Sequence, residues 1–298
     1  MRRRTSKRTK TNIVTALLVA LVLVGVRGTK WNSVRSGKSP HSYGVVRDVN
    51  QTSETKQSST EVNPANSNAE FSLDDIPKYT STPSDGTVPK EPFLGVDRRS
   101  TPSVSVNSNE PYFTKEDLEK AKTSYESYGE HDSLGRCTTC IASIGKDLMP
   151  TGPRGEIGMI RPTGWHTVKY KNVEGNDCSN RSNGHYLYNR CHLIGYQLTG
   201  ENANNKNLIT GTRYMNVEGM EPYENNTASY VRQTGNHVLY RVTPVFSGND
   251  LLAQGVLMEA ESVEDNGAGL KFCVFCYNVQ PSIEINYTDG SSKGEVYE

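Results

Sequence analysis

Between residue 31 and about residue 110 no apolar period recurs. Ser, Thr, Asn, Pro and charged residues dominate, as in Ser58-Ser59-Thr60-Glu61-Val62-Asn63-Pro64. Such a stretch buries too little apolar surface to offset the entropy of ordering it. It reads as a disordered polar linker and leaves residues 111–298 to build the core. A hydrophobic content of 34%, below the ordinary globular level, agrees with a chain that is only partly folded.

Ahead of the linker, six basic residues precede the apolar run Ile13 to Val26. That run has 14 residues, fewer than the roughly 18–20 that cross a bilayer unaided. It fits the apolar centre of a secretory signal. No clear Ala-x-Ala cleavage site follows, so an uncleaved anchor with its basic end in the cytoplasm is the second reading. In both readings the rest of the chain is secreted or held on the extracellular face by its N-terminus. The net charge of zero hides a split: residues 1–30 carry eight Lys/Arg and no acid, and the remainder is net −8. That is not the charge of a protein that coats nucleic acid, so any polyanion site rests on a local basic cluster.

Within 111–298, Thr114-Lys115-Glu116-Asp117 resembles a capping box, and Leu118, Ala121, Tyr125 and Tyr128 continue at helical spacing. The spacing predicts a helix over about 115–128. Residues 145–164, rich in Gly and Pro, read as turns. Trp165–Tyr170 alternates like a strand, and Tyr186–Leu198 reads as extended. Pro222–Gln233 reads as a helix with proline in its first turn. His237–Phe246, Leu252–Val263 and Leu270–Tyr287 read as strands. The fold class expected is α+β, with a central, mostly antiparallel sheet and flanking helices.

The chemistry gathers in Tyr188-Asn189-Arg190-Cys191-His192-Leu193-Ile194 and the amide-rich run from Asn202 to Asn216. Water is a poor nucleophile at neutral pH, and a neutral imidazole can take its proton. The apolar neighbours Leu193 and Ile194 favour the neutral form of His192 by desolvating it. Arg190, two residues away, falls on the same face of a strand. It is placed either to clamp a phosphate oxygen or to make a structural ion pair. Amide oxygens suit a hard divalent ion that keeps several waters. Arg154, Arg161, Arg213, Arg232 and Arg241 are further cations for a phosphodiester backbone, although Arg241 alternates within a strand and also reads as structural.

These residues resemble the DNA/RNA non-specific endonuclease family, the ββα-metal or His-Me finger nucleases, in its branch of secreted or surface-anchored bacterial DNases. The family signature is Asp-Arg-Gly-His, and this chain reads Asn189-Arg190-Cys191-His192. Asn207-Leu208-Ile209-Thr210-Gly211-Thr212-Arg213-Tyr214-Met215-Asn216 and His237–Phe246 extend the likeness over roughly residues 111–290. The resemblance implies a ββα-metal motif with His192 as general base. It implies Asn216 as the direct ligand of Mg²⁺, with Mn²⁺ able to substitute, and Glu224 holding the ion through water. Asn207 and Arg190 would support ion or phosphate. Arg154 or Arg161 matches the family arginine ahead of the signature. Asn189 stands where the family has aspartate, so no role there can rest on negative charge. The products implied carry 5′-phosphate and 3′-hydroxyl ends. DNA is the expected substrate and RNA a second candidate, with no small-molecule cofactor. The alternative reading is a surface nucleic-acid-binding or DNA-uptake module that does not cleave.

Six cysteines in an exported chain permit disulfides, which are the leading expectation. Buried free thiols come second. A zinc site of Cys137-x-x-Cys140 with Cys273-x-x-Cys276 comes third, because a strand spacing of three turns Cys273 and Cys276 to opposite faces. The same argument separates Cys191 from His192 and disfavours a Cys/His hydrolase.

Overall fold

The computed structural model describes residues 71–79, 102–171, 173 and 186–296. The N-terminal segment 1–30, most of the expected linker and Cys178 lie outside the described residues. Those described fall within one compact unit, Val62–Glu298.

The capping box forms as the sequence implies. Thr114 Oγ1 accepts from the Asp117 amide at 3.1 Å, and Asp117 Oδ2 accepts from the Thr114 amide at 3.0 Å. Helix α1 is nonetheless short, Lys115–Lys120. Tyr125–Tyr128, expected as its continuation, is strand β2 and pairs antiparallel with β3, Cys140–Ile144. Aromatic residues suit a half-buried pleated surface, and the free edge of β3 overrides the helical spacing.

Six strands form the main sheet in the order β1-β8-β7-β6-β3-β2, every pair antiparallel. Here β1 is Ser103–Ser105, β6 Val238–Val245, β7 Gly255–Ser262 and β8 Lys271–Tyr277. The three long strands were legible in the sequence, with β8 ending well before Tyr287. The strand β3 between β2 and β6 was not. Nor was Trp165–Tyr170 right as a strand. It makes only isolated bridges, Lys169 to Tyr186 and Tyr170 to Val296.

Between β3 and β6 lies a second unit. Strands β4, Tyr188–His192, and β5, Leu208–Thr212, pair antiparallel with His192 opposite Leu208. The short helix α2, Tyr196–Thr199, follows β4. A π-helical turn, Met215–Met220, runs into helix α3, Glu221–Thr234, with proline in its first turn as expected. Two strands and a helix in succession match the expected motif. The ribbon is tied to the main sheet by buried Asn278. Its Oδ1 accepts from the Thr212 amide at 2.8 Å, and its Nδ2 donates to the Thr210 and Ala253 carbonyls. One core fills the space between this unit and the sheet, with Cys191, Leu193, Ile209, Met215, Tyr223 and Val231 against Val242, Met258 and Phe272.

The opposite face of the sheet is also covered, so β7 is buried along nearly its whole length. Phe71, Leu73, Ile76 and Tyr79 pack there against Leu257, Phe275 and Tyr277, and Tyr277 Oη donates to the Pro77 carbonyl at 2.6 Å. The fold therefore takes in residues ahead of Pro111. These few apolar side chains show no period of their own, and the sheet supplies the surface that they cover.

Glu259 is buried on β7 and paired with Arg241, whose Nε and Nη2 donate to its two carboxylate oxygens at 2.6 and 2.8 Å. The Tyr112 amide donates to the same carboxylate. Arg241 also lies over the Phe113 ring. Of its two readings, the structural one holds. Removing one partner of a buried pair strands the other charge, so Arg241→Ala is expected to cost about 3–5 kcal/mol. Urea unfolding checks this: a loss under 1 kcal/mol would contradict the burial argument.

The described cysteines Cys137, Cys140, Cys191, Cys273 and Cys276 are free and buried, which corrects the expected disulfide framework. The Cys137 thiol donates to the Asn205 and Leu208 carbonyls, and that of Cys140 to Thr138 and Lys206. They behave as small core residues with weak donors. Among the described residues no cluster of three His, Cys, Asp or Glu could hold a metal ion, which leaves the four-thiolate zinc reading without a site.

Candidate active site

Strand β4 lays Tyr188, Arg190 and His192 along one face, as alternation requires. Together with the π-turn and α3 they line a cavity of about 880 Å³. Its wall includes Arg154, Asn189, Arg190, His192, Arg213, Asn216 and Glu224. The imidazole and carboxamide that the sequence singled out, 24 residues apart, thus face one space.

His192 is 6% exposed. Its Nε2 lies 2.8 Å from the Asn202 carbonyl oxygen. A carbonyl only accepts, which assigns the proton to Nε2 and leaves the lone pair on Nδ1. Arg154 Nη2 stands 3.3 Å from that Nδ1. Burial pushes the His192 pKa down to about 4; the Asn202 hydrogen bond opposes this and the Arg154 charge adds to it. The ring is therefore a neutral acceptor at physiological pH.

A stability consequence follows with a definite sign. As pH falls below about 6.5 the unfolded chain binds a proton that folded His192 refuses until about pH 4. Stability present above pH 6.5 is lost over that window, on the order of 3 kcal/mol. Urea unfolding at pH 7 and pH 4.5 should show a larger drop for the parent chain than for His192→Ala. Equal drops would refute the buried neutral imidazole.

Asn216 sits in the π-turn, the kind of helix irregularity that often marks functional sites. No hydrogen bond ties its side chain to another described residue, so both amide groups are available to the cavity. Despite Gly219 and Pro222, the turn and α3 are continuous, and Glu224 is carried to the same wall. Burial, then the nearby Glu221 charge, pushes the Glu224 carboxyl up to about 7, against the opposing pull of Gln197 and Arg154. Its carboxylate packs on Gly195, where an added Cβ would stand 2.6 Å from Oε2.

The remaining expected residues divide. Arg213 lines the cavity, and of the two loop arginines it is Arg154 that reaches His192. Arg161 is exposed beside Arg190 and does not line the cavity. Arg232 is exposed on α3, also off the cavity, because eight residues beyond Glu224 carry it about 12 Å along the helix. Asn207 is fully buried and does not line the cavity. Its Oδ1 accepts from the Ile194 amide at 2.8 Å and its Nδ2 donates to the Ile194 carbonyl at 2.9 Å. It can support the site only by fixing the chain after His192. Arg190 donates from Nε to the Ile160 carbonyl and from Nη2 to that of Gly158 at 2.8 Å, and its guanidinium lies 4.0 Å from the centre of the Trp165 ring. Those bonds pin the 158–165 loop to β4, so neither the even choice of phosphate clamp nor that of ion pair describes its main contacts. Cys191 turns away from His192 into the core, where burial raises its thiol pKa.

The Asn202 carbonyl was missed. A backbone acceptor leaves no residue signature, and the Asn-rich run had suggested only side-chain oxygens. Trp165, Tyr186 and Tyr196 also line the cavity, and only their aromatic character could have flagged them.

Comparison with known proteins gives the following. The family model described as DNA/RNA non-specific endonuclease matches residues 117–264. A Deoxyribonuclease of Streptococcus dysgalactiae subsp. equisimilis is 32% identical over 110 residues, 35% of this chain and 32% of that protein. The chain thus spans about a third of the length of this curated relative. The crystal structure of NucA from Streptococcus agalactiae with magnesium ion bound superposes with a TM-score of 0.53 at 25% identity, covering 64% of this chain and 86% of that one. NucA with no metal bound gives the same TM-score and coverage at 24% identity.

Proposed function

Residues 117–264 belong to the DNA/RNA non-specific endonuclease family, and from that premise we propose that the chain is a divalent-metal-dependent endonuclease. Its substrate is DNA, with RNA as a second candidate, and its products carry 5′-phosphate and 3′-hydroxyl ends. The observation that carries the proposal is the shared cavity of a neutral His192, whose Nδ1 lone pair faces the Arg154 guanidinium, and the uncommitted Asn216 carboxamide.

The donors fit a hard ion. Asn216 offers an amide oxygen and Glu224 a carboxylate, and Mg²⁺ takes oxygen ligands while keeping several waters. NucA, the structural relative, binds magnesium in its crystal structure. Asn216 would hold the ion directly and Glu224 would hold it through water. The ion supplies charge to stabilise the departing 3′-oxygen. His192 Nδ1 takes a proton from the attacking water, and the Asn202 carbonyl steadies the imidazolium that forms by accepting from Nε2–H. Arg154, beside Nδ1, is placed to meet the phosphate, with Arg213 as a second cation on the wall. Arg190 and Asn207 act as positioning residues, through the 158–165 loop and through Ile194.

We further propose that residues 1–30 direct export or tether the chain, that a polar linker follows, and that the nuclease acts outside the cell. Support comes from the basic flank and the 14-residue apolar run.

Incubating supercoiled plasmid with the protein tests the activity. Nicking and linearisation with Mg²⁺, abolished by EDTA and restored by added metal, is expected. Binding without cleavage under all these conditions would favour the uptake-module alternative. Gly195 gives a finer check. Gly195→Ala must displace the Glu224 carboxylate, which can swing without unfolding the chain. Activity should fall about 10–100-fold, the usual effect of disturbing an outer-sphere partner, with little change in Tm. Full activity in this variant would detach Glu224 from the site.

A further inference from the structure

The cavity continues past the catalytic end. Six residues upstream of His192, Tyr186 also lines it, together with Trp165, Thr167 and Tyr188. At about 3.3 Å per extended residue, Tyr186 stands up to about 20 Å along the chain from His192. A stacked nucleic-acid strand rises about 3.4 Å per nucleotide, so the two ends of the cavity are several nucleotides apart.

The chemistry of this second end differs from that of the first. Tyr186 is 39% exposed, one of few large apolar side chains so placed among the described residues. Lys169 Nζ sits over its ring, 4.6 Å from the centre, so a cation covers one face and a base would take the other. Trp165 carries the Arg190 guanidinium at 4.0 Å in the same way. Among the described residues no carboxylate lines this end, since Glu221 and Glu224 stand on α3 at the other. Aromatic faces flanked by cations match an unpaired base and its phosphate, because every base has a π-face and the backbone supplies the charge. Paired bases in a duplex keep their faces stacked on each other and cannot offer them.

We propose that Tyr186, with Lys169 beside it, forms a stacking subsite for an unpaired nucleobase several nucleotides from the scissile phosphate. The preferred substrate is then single-stranded nucleic acid or a locally opened duplex. Stacking reads no base identity, which suits cleavage without sequence preference. This rests on the nuclease reading only in taking the cavity as the nucleic-acid site.

Binding of fluorescent oligothymidylate in EDTA, followed by anisotropy, tests the proposal without cleavage. Tyr186→Ala should weaken binding about tenfold and Tyr186→Phe should bind like the parent chain. Removing one base at a time from the oligonucleotide should locate a position whose loss weakens the parent chain but not Tyr186→Ala. Unchanged affinity of Tyr186→Ala, or equal sensitivity of parent and variant to every abasic position, would overturn the subsite. Neither result touches the nuclease reading, which fails only if the parent chain leaves plasmid intact with Mg²⁺.

Discussion

His192→Ala is expected to lower plasmid cleavage by roughly 10²–10⁴-fold, the range that a positioned general base supplies. The loss should fall on turnover, because the imidazole accepts its proton in the transition state and adds little to ground-state binding. The geometry makes the ring hard to replace. Its Nε2–H is committed to the Asn202 carbonyl, so Nδ1, which faces Arg154, is the nitrogen left to act as base. Burial keeps it unprotonated well below neutral pH. Removing the ring also leaves the Arg154 guanidinium without the acceptor that it approaches at 3.3 Å. Plasmid digestion over a range of DNA concentrations at saturating metal gives the measurement. A folded His192→Ala protein with full turnover would remove the general-base assignment, and a pure rise in KM would recast His192 as a binding group.

Asn216→Ala is expected to cost at least about 10²-fold in activity and to raise the Mg²⁺ concentration needed for half-maximal rate. Asn207 cannot take over, because its amide is spent on the Ile194 peptide. The fold should tolerate the change, since the Asn216 side chain makes no hydrogen bond to another described residue. Isothermal titration with Mg²⁺ alone separates the readings. Weaker ion binding with an unchanged melting temperature supports the ligand role. Unaltered ion affinity together with lost activity would move Asn216 from the metal to the substrate.

These two residues show how a site can be partly legible in a chain. His192 and Asn216 could be named because the roles proposed for them reside in the side chain itself, an imidazole within an apolar run and an amide at the spacing of the family motif. Arg190 could be placed on the right face by strand alternation, yet its partners could not be foreseen. The carbonyls of Gly158 and Ile160 come from a loop about 30 residues away and are backbone groups with no residue identity. Arg154 and Arg161 were interchangeable as sequence and are not as structure, since one reaches Nδ1 and the other stays outside the cavity.

The amino-acid order by itself determined the strands β6 and β7, the helix α3 and the capping box at Thr114, and it singled out His192 and Asn216, which the fold brings to one cavity. The elements follow from local alternation and helical spacing, and Asn216 from the family resemblance. Tertiary structure decided the rest: that Tyr125–Tyr128 leaves the helix for a sheet edge, that the described cysteines stay free thiols, and that Phe71–Tyr79 join the fold. It also set which arginines meet the cavity and which carbonyl orients His192. Each of these depends on partners distant in sequence, and a short window of chain carries no record of what will pack against it.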